Sequence, residues 1–409
     1  MPDLQTQITT MTHSGDILLL VWGAALVFSM HAGFAFLEAG SVRRKNVVNA
    51  LTKIVMDWSV STLIYFVIGF PIAYGISFLR PVQAMNLGDG ANGFNFVHFF
   101  FLLTFAACIP AIISGGIAER AKFGTQILAG AIFVGLIYPF YEAFAWGQWS
   151  GPVGVMLTAI GGYPFHDYAG SVVVHAMGGW LALPAIITLG PRLGRYRQNG
   201  VSSPTPIHSI PYVALGSWFL MVGWFGFNVA SAGHLSNISG LVAINSLMAM
   251  VGGVVAAALA SKNDAVAIYN GALAGLVAVC AGSDAYHPLG AAVVGIIAGV
   301  IFVKAFQLVN ERWRIDDVLG VWPLHGLGGA WGGIAAGIFT LPALGGLGGV
   351  SLVTQLIGTL ACIVVALAGG FLVYGLLNRL GGIRLTAKEE LLGTDMVVHS
   401  SKAYPEEVF

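Results

Sequence analysis

The sequence predicts an all-α polytopic membrane protein with eleven transmembrane helices. Of its 409 residues, 57% are hydrophobic and only 9% are charged, whereas a soluble domain usually carries about 25% charged residues. Apolar runs of about 20 residues, the length that crosses a bilayer, recur along the chain. The formal net charge is zero, so nothing in the overall charge favours a nucleic-acid partner. The lipid bilayer is the expected surrounding.

Eleven apolar runs, numbered here as spans 1 to 11, are long enough to cross a membrane. The polar stretch before the first run has no basic region like that of a cleaved signal peptide, so span 1 is expected to act as the insertion signal. The spans lie at 16–38, 48–76, 96–117, 124–145, 166–190, 208–230, 238–260, 265–283, 286–308, 322–340 and 351–378.

Basic residues are concentrated in every second loop, and the alternate loops contain almost none apart from Arg80. The positive-inside rule therefore predicts an outer N-terminus and a cytoplasmic C-terminus, which requires an odd number of spans. We expect a multi-pass protein of the cell membrane. The basic clusters are Arg43, Arg44 and Lys45; Arg120 and Lys122; Arg192, Arg195 and Arg197; Lys262; Arg312 and Arg314; and Arg379, Arg384, Lys388 and Lys402.

Two domains are predicted. Residues 1–378 form the transmembrane domain, and residues 379–409 form a polar cytoplasmic tail. Composition alone leaves open whether this tail is a regulatory or docking element or a solvated end. The scattered cysteines, Cys108, Cys280 and Cys362, lie in apolar stretches and fit neither a zinc site nor a disulfide framework. No metal and no cofactor is expected.

One pattern occurs twice along the chain, 150 residues apart. Asp167 is followed by His175 and Gly178-Gly179, and Asp317 is followed at the same spacing by His325 and Gly328-Gly329. The two copies fall in spans 5 and 10, which would cross the membrane in opposite directions. We therefore predict two inverted five-helix repeats, spans 1–5 and 6–10, plus a C-terminal helix. In transporters of this architecture the substrate path lies between the two halves.

Three histidines, His31, His175 and His325, lie well inside apolar spans. A single histidine at this depth is most simply explained by a hydrogen bond to a neighbouring helix. His31 has no equivalent in the second half, and we interpret it as a residue that packs between helices or supports the site indirectly. Pseudo-symmetry would instead bring His175 and His325 together in one pore. Two neutral imidazoles can share a proton, because one nitrogen donates and the other accepts. Such a pair would provide a polar path for a small amine.

The sequence resembles the ammonium transporter family (the Amt/Mep/Rh superfamily, Amt branch) from about residue 16 to 404. The most specific segment runs from Asp167 to His175 and reads DYAGSVVVH. Further matching segments are GFAFLEAG at 33–40, AER at 118–120, GWFGFN at 223–228, SAG at 231–233 and the pair Asp316-Asp317; the tail residues Asp395, His399 and Tyr404 resemble the family's regulatory motif.

The resemblance implies a role for each matched position. His175 and His325 would be the twin pore histidines, and Phe105 and Phe227 the stacked outer gate. Trp224 would line the pore. The resemblance also implies a homotrimer with one pore per subunit and a PII-type regulatory protein at the cytoplasmic face. The residues implied in ammonium recruitment are Trp146, Ser231, Asp167 and Phe101.

Three functions compete at this point. The first is transport: ammonium would be recruited at an external aromatic vestibule and deprotonated, and ammonia would pass through a hydrophobic pore lined by the two histidines, with or without a relayed proton. The second is an ammonium sensor of the same fold with little or no transport. The third is an intramembrane hydrolase built on Ser231, a histidine and Asp167, but no G-x-S-x-G motif surrounds that serine. We therefore expect no enzymatic activity and no catalytic residues.

Overall fold

The chain is mostly helical, as predicted. The computed structural model describes residues 4–85, 91–203, 205–234 and 238–404. Within these ranges, nine helices are long and apolar enough to cross a membrane. They are Leu4–Ser41, Arg44–Tyr74, Gly93–Ile117, Phe123–Ala145, Ser171–Leu189, Ile210–Ala230, Ser239–Ser261, Pro288–Arg312 and Leu352–Gly381.

Two further predicted spans correspond to shorter helical segments. Span 8 corresponds to the helix Ala265–Val279. Span 10 corresponds to the π-helical turn Trp322–Leu327 followed by the helix Gly328–Phe339. Every predicted span therefore has a helical counterpart, and the count of eleven membrane crossings depends on these two shorter segments.

The helix boundaries differ from the sequence-based expectation in two places. The first helix begins at Leu4 instead of near residue 16. Threonine hydroxyls in this extension, such as that of Thr10, donate to the carbonyl four residues earlier, so polar residues continue the helix. An additional helix, Ser150–Gly161, lies between spans 4 and 5. Its 12 residues are too few for a search based on bilayer thickness.

The first helix of each predicted half packs along the other. Leu4–Ser41 and Ile210–Ala230 meet through small residues, and a Cβ built on Gly216 would lie 2.3 Å from the backbone nitrogen of Leu37. Close approach through small residues is the usual way in which membrane helices associate. This contact brings the two predicted halves together along their length.

The basic loops converge on one face of the bundle around a buried carboxylate. Asp316 accepts hydrogen bonds from Nε and Nη2 of Arg192, both at 2.9 Å, and Arg192 also pairs with Glu119 at 3.3 Å. Arg120 donates from Nη2 to the carbonyl of Asp316 at 2.7 Å. Burial alone would raise the pKa of Asp316, but the hydrogen bonds and charge of Arg192 outweigh it and hold that pKa well below its usual range.

We expect Asp316→Asn to lower the stability by about 3 kcal/mol, the lower end for breaking a buried ion pair, because Glu119 still pairs with Arg192. Since the folded pKa is depressed, the contribution of Asp316 is fully present above the unfolded pKa of about 3.9 and is lost only below it. Thermal unfolding in detergent should show the same deficit from pH 8 to about pH 5. A deficit that vanishes by pH 5 would contradict this account.

The polar tail lies against the same face in its described part, which ends at residue 404. After Leu352–Gly381 come two short helices, Ala387–Leu392 and Thr394–His399. The Asp395 carboxylate accepts hydrogen bonds from the backbone N–H groups of Val48 and Asn49, at 3.0 and 2.9 Å. The tail thus caps the start of the second long helix. Residues 405–409 lie outside the described part.

Candidate functional site

A cavity of about 200 Å³ opens at the end of the bundle away from the basic loops. We call it the aromatic cavity. Four of the residues implied in ammonium recruitment and gating line it: Trp146, Ser231, Phe101 and Phe105. The Ser231 hydroxyl donates to the carbonyl of Phe227 at 2.8 Å. The full lining is Leu20, Tyr74, His98, Phe101, Leu102, Phe105, Trp146, Tyr168, Ala230, Ser231 and Gly233.

A stacked pair of phenylalanine rings adjoins the aromatic cavity, and one of the two, Phe105, lines it. Phe105 and Phe227 are stacked with ring centroids 3.9 Å apart and planes 15° apart. Both side chains are buried. Trp146 meets Phe105 edge to face, with centroids 6.0 Å apart. The pair thus connects the wall of the cavity, at Phe105, with the more deeply buried groups next to Phe227.

The two repeated histidines lie directly behind this aromatic pair. The Nδ1 atoms of His175 and His325 are 3.3 Å apart, and the His175 ring lies 5.4 Å from that of Phe227. One Nδ1 must donate and the other accept, so the pair shares a proton when both rings are neutral. No described residue forms a hydrogen bond with Nε2 of His175, which is buried. The hydrogen-bonding capacity of that nitrogen is therefore unused by the described residues.

Aromatic groups flank the histidine pair on both sides. Trp224 stacks on His175 with centroids 4.9 Å apart, and its Nε1 donates to Sγ of Cys280 at 3.1 Å. Phe34 lies 6.4 Å from His325. The histidines are thus buried polar groups in mostly aromatic surroundings.

The chain positions both histidines by the same local structure. Each lies in a π-helical turn, Ser171–Ala176 or Trp322–Leu327, at the start of its helix. Three residues after each repeated aspartate stands a glycine with positive φ, +91° at Gly170 and +73° at Gly320. A side chain is strained in this conformation, whereas glycine adopts it readily. The π turns are helix irregularities of a kind often found at functional sites.

The repeated aspartates hold these turns. Asp167 accepts backbone N–H groups of Gly170, Val172 and Val173 at 3.1, 2.8 and 2.8 Å. Asp317 accepts those of the equivalent Gly320 and of two residues after it, at 3.0, 3.0 and 2.9 Å. Asp167 does not line the aromatic cavity. It reaches the recruitment residues through its backbone carbonyl, which accepts from Nε1 of Trp146 at 2.7 Å.

We expect Asp167→Ala to lower the stability by about 1–2 kcal/mol, the usual cost of losing a helix cap. Asp167→Asn should cost less, because the amide oxygen still accepts N–H groups. Thermal unfolding of both variants, with Asp317→Ala as the equivalent change in the second copy, tests this. If Asp167→Ala keeps the parent's stability but loses ammonium uptake, uptake would depend on the charge of Asp167 and not on its capping of the turn.

Some residues at the cavity were not singled out from the sequence. His98 lines the aromatic cavity together with Tyr74 and Tyr168. His98, Phe101 and Phe105 recur at helical spacing, so they lie on one face of their helix. That spacing could have identified His98. Tyr74 comes from another helix and carries no comparable signal.

Comparisons with known proteins cover nearly the whole chain. A sequence model of the Ammonium Transporter Family matches residues 18–404. The ammonium transporter Amt2 of Methanocaldococcus jannaschii is 41% identical over 98% of this chain and 94% of its own length. Amt1 of the same organism is 36% identical over 96% and 97%.

Solved structures show the same architecture. A "Sensor Amt Protein" is 30% identical, with a TM-score of 0.85 over 96% of this chain and all of its own. Mep2 of Candida albicans has a TM-score of 0.78 over 92% of this chain and 87% of its own. At 24% identity the second likeness concerns the fold alone.

Proposed function

This chain belongs to the Ammonium Transporter Family, and from that membership we propose that it transports ammonium or ammonia across the cell membrane. The observation that carries the proposal is the order of groups along one passage. An aromatic cavity is followed by a stacked phenylalanine pair, and then by two histidines whose Nδ1 atoms are 3.3 Å apart. The cavity provides what a cation site requires, the phenylalanine pair what a gate requires, and the histidines what a path for a neutral amine requires.

Ammonium is recruited in the aromatic cavity. An ammonium ion over an aromatic face gains about 0.5–2 kcal/mol through cation–π attraction, and Trp146, Phe101 and Phe105 provide such faces. The Ser231 hydroxyl oxygen and nearby carbonyls replace part of the ion's water. Potassium is similar in size but donates no hydrogen bonds, so these acceptors favour ammonium.

The phenylalanine gate opposes a bare cation, because the passage behind it has a low dielectric constant. Ammonium is therefore deprotonated before transit, and ammonia crosses along the histidines. Nε2 of His175 has no hydrogen-bond partner among the described residues, and it hydrogen-bonds the amine. The shared proton between His175 and His325 provides a route by which the released proton could follow. Trp224 stacks on His175 and so helps to hold the histidine pair in place.

The proposed membrane arrangement follows from the distribution of basic residues among the loops. Eleven spans, arranged as two inverted halves plus a C-terminal helix, place the N-terminus outside and the basic face in the cytoplasm. Residues 1–378 are then the conducting domain and residues 379–409 a regulatory tail. The packing of the tail through Asp395 supports a regulatory role. We further propose a homotrimer and a PII-type protein that binds the cytoplasmic face.

An ammonium sensor with little or no transport is the second candidate. It is supported by the similarity to the Sensor Amt Protein, with a TM-score of 0.85 at 30% identity.

Growth of a microbial strain that lacks its own ammonium transporters tests whether the chain transports ammonium or only senses it. On low ammonium, expression of this chain should restore growth and uptake of methylammonium. Membrane-inserted protein that restores neither would favour the sensor.

A further inference from the structure

A buried carboxylate adjoins the aromatic cavity and takes no part in the transport path described so far. Glu142 lies one helical turn before Trp146 and is fully buried. Its carboxylate accepts hydrogen bonds from the hydroxyls of Tyr65, at 2.9 and 2.8 Å, Tyr74, at 3.1 Å, and Tyr138, at 3.3 Å. Three hydroxyl donors directed at one carboxyl group stabilise its ionised form.

No described lysine, arginine or histidine forms an ion pair with Glu142. Burying a charge without an opposite charge is unfavourable. Other buried acids of the described bundle differ in this respect: Glu38 and Asp316 are paired with Lys53 and Arg192, whereas the Asp167 carboxylate accepts backbone N–H groups. Burial without an opposite charge therefore disfavours the ionised form of Glu142, and a cation in the adjoining cavity would offset that cost and favour the carboxylate.

Tyr74 connects this carboxylate to the cavity. It lines the aromatic cavity, and its ring meets that of His98 edge to face, with centroids 5.4 Å apart. Since its hydroxyl hydrogen is directed at Glu142, the hydroxyl oxygen keeps its lone pairs as acceptors. The Glu142 backbone carbonyl also accepts the N–H of Trp146 at 2.8 Å. Glu142 thus contacts residues on two walls of the cavity.

We propose that Glu142 and Tyr74 form a second, anionic wall of the ammonium site, in which the Tyr74 oxygen accepts an N–H of the ion and Glu142 provides the counter-charge. The proposal rests on the proposed function, because it assigns the cavity to ammonium. Cation–π faces attract any small cation. A hydroxyl acceptor polarised by a carboxylate instead favours a cation that donates hydrogen bonds, so this wall contributes to selectivity against potassium.

Tyr74→Phe and Glu142→Gln test the proposal, with Tyr141→Phe as the matched control. Tyr141 is the residue before Glu142, is buried, and donates its hydroxyl to the carbonyl of Gly358 at 2.8 Å. It contacts neither the Glu142 carboxylate nor the aromatic cavity. The control therefore removes a buried tyrosine hydroxyl from the same helix without changing the proposed wall.

Ammonium uptake into proteoliposomes should give a half-saturating concentration about tenfold higher in Tyr74→Phe, the value of one hydrogen bond to a charged group. The maximal rate should be kept. Glu142→Gln should also raise the half-saturating concentration. The double variant should raise it little further, because the two residues act through one hydrogen bond. Excess potassium should inhibit both variants more than the parent. An unchanged half-saturating concentration in Tyr74→Phe, or an equal shift in Tyr141→Phe, would overturn the proposal.

Ammonium binding, followed by tryptophan fluorescence of the detergent-purified parent and variants, separates this proposal from the proposed function. If the parent binds ammonium without uptake, transport fails, and weaker binding by Tyr74→Phe still supports the anionic wall. If the parent conducts and Tyr74→Phe binds and conducts like it, the wall alone fails. A parent that neither binds nor conducts would overturn both.

Discussion

Replacing both His175 and His325 by alanine should reduce saturable ammonium uptake by about 100-fold or more. Ammonia loses its water on entering the passage, and each imidazole hydrogen bond that replaces water is worth about 1–1.5 kcal/mol. Two such bonds correspond to about 100-fold in rate. The double variant should fold and assemble as the parent does, because alanine leaves space and introduces no clash. Proteoliposome uptake in the presence of excess potassium measures the effect.

His31→Ala is the matched control for this experiment. His31 is also buried in the membrane-spanning region, and neither of its ring nitrogens has a side-chain partner among the described residues. Its ring packs edge to face on Trp58, with centroids 4.6 Å apart, and it approaches His325 only through Phe34. Uptake should therefore survive in His31→Ala. Undiminished, potassium-resistant uptake in the double variant would refute the role assigned to the pair.

Gly179→Ala should destabilise the protein by about 3 kcal/mol, the upper end for inserting one methyl group into a packed core. A Cβ at this position would lie 2.1 Å from the backbone nitrogen of Gly326 and 2.8 Å from the carbonyl carbon of His325. Backbone cannot move aside as a flexible side chain can. The added methyl group would push apart the two helices that carry the histidines, so uptake should fall together with stability.

Gly375→Ala provides the same chemical change at a permissive site. Gly375 lies in the helix Leu352–Gly381, and no atom lies within 4 Å of the Cβ that alanine would add. Replacing a helical glycine by alanine where there is room for the Cβ is neutral or gains up to about 1 kcal/mol. Thermal unfolding in detergent compares the two variants. Equal unfolding temperatures would show that the close crossing at Gly179 is unimportant.

The sequence was informative where a pattern occurred twice. The spacing from Asp167 to His175 recurs from Asp317 to His325, and this recurrence led us to expect contact between the histidines. The structure places their Nδ1 atoms 3.3 Å apart. The same two copies also share a glycine three residues after the aspartate. We did not use that signal, although it marks the turn that positions each histidine.

Other features of the site carried no signal along the chain. The tyrosines around Glu142 come from residues 65, 74 and 138, and only the packing of separate helices brings them together. The π-helical turns are set by hydrogen-bond register, which hydropathy does not report. Family resemblance implied a part for Asp167 in ammonium recruitment, but not that its carboxylate would accept three backbone N–H groups. The type and position of a residue in the sequence do not reveal with which groups its atoms form hydrogen bonds.

Ammonium uptake by the purified parent protein tests the central claim most directly. Proteoliposomes that contain a pH-sensitive dye would be exposed to ammonium with and without excess potassium, while binding is followed on the same preparation. We expect saturable uptake well above that of empty liposomes, with little inhibition by potassium. Saturable ammonium binding with uptake no faster than in empty liposomes would contradict transport and identify the chain as a sensor.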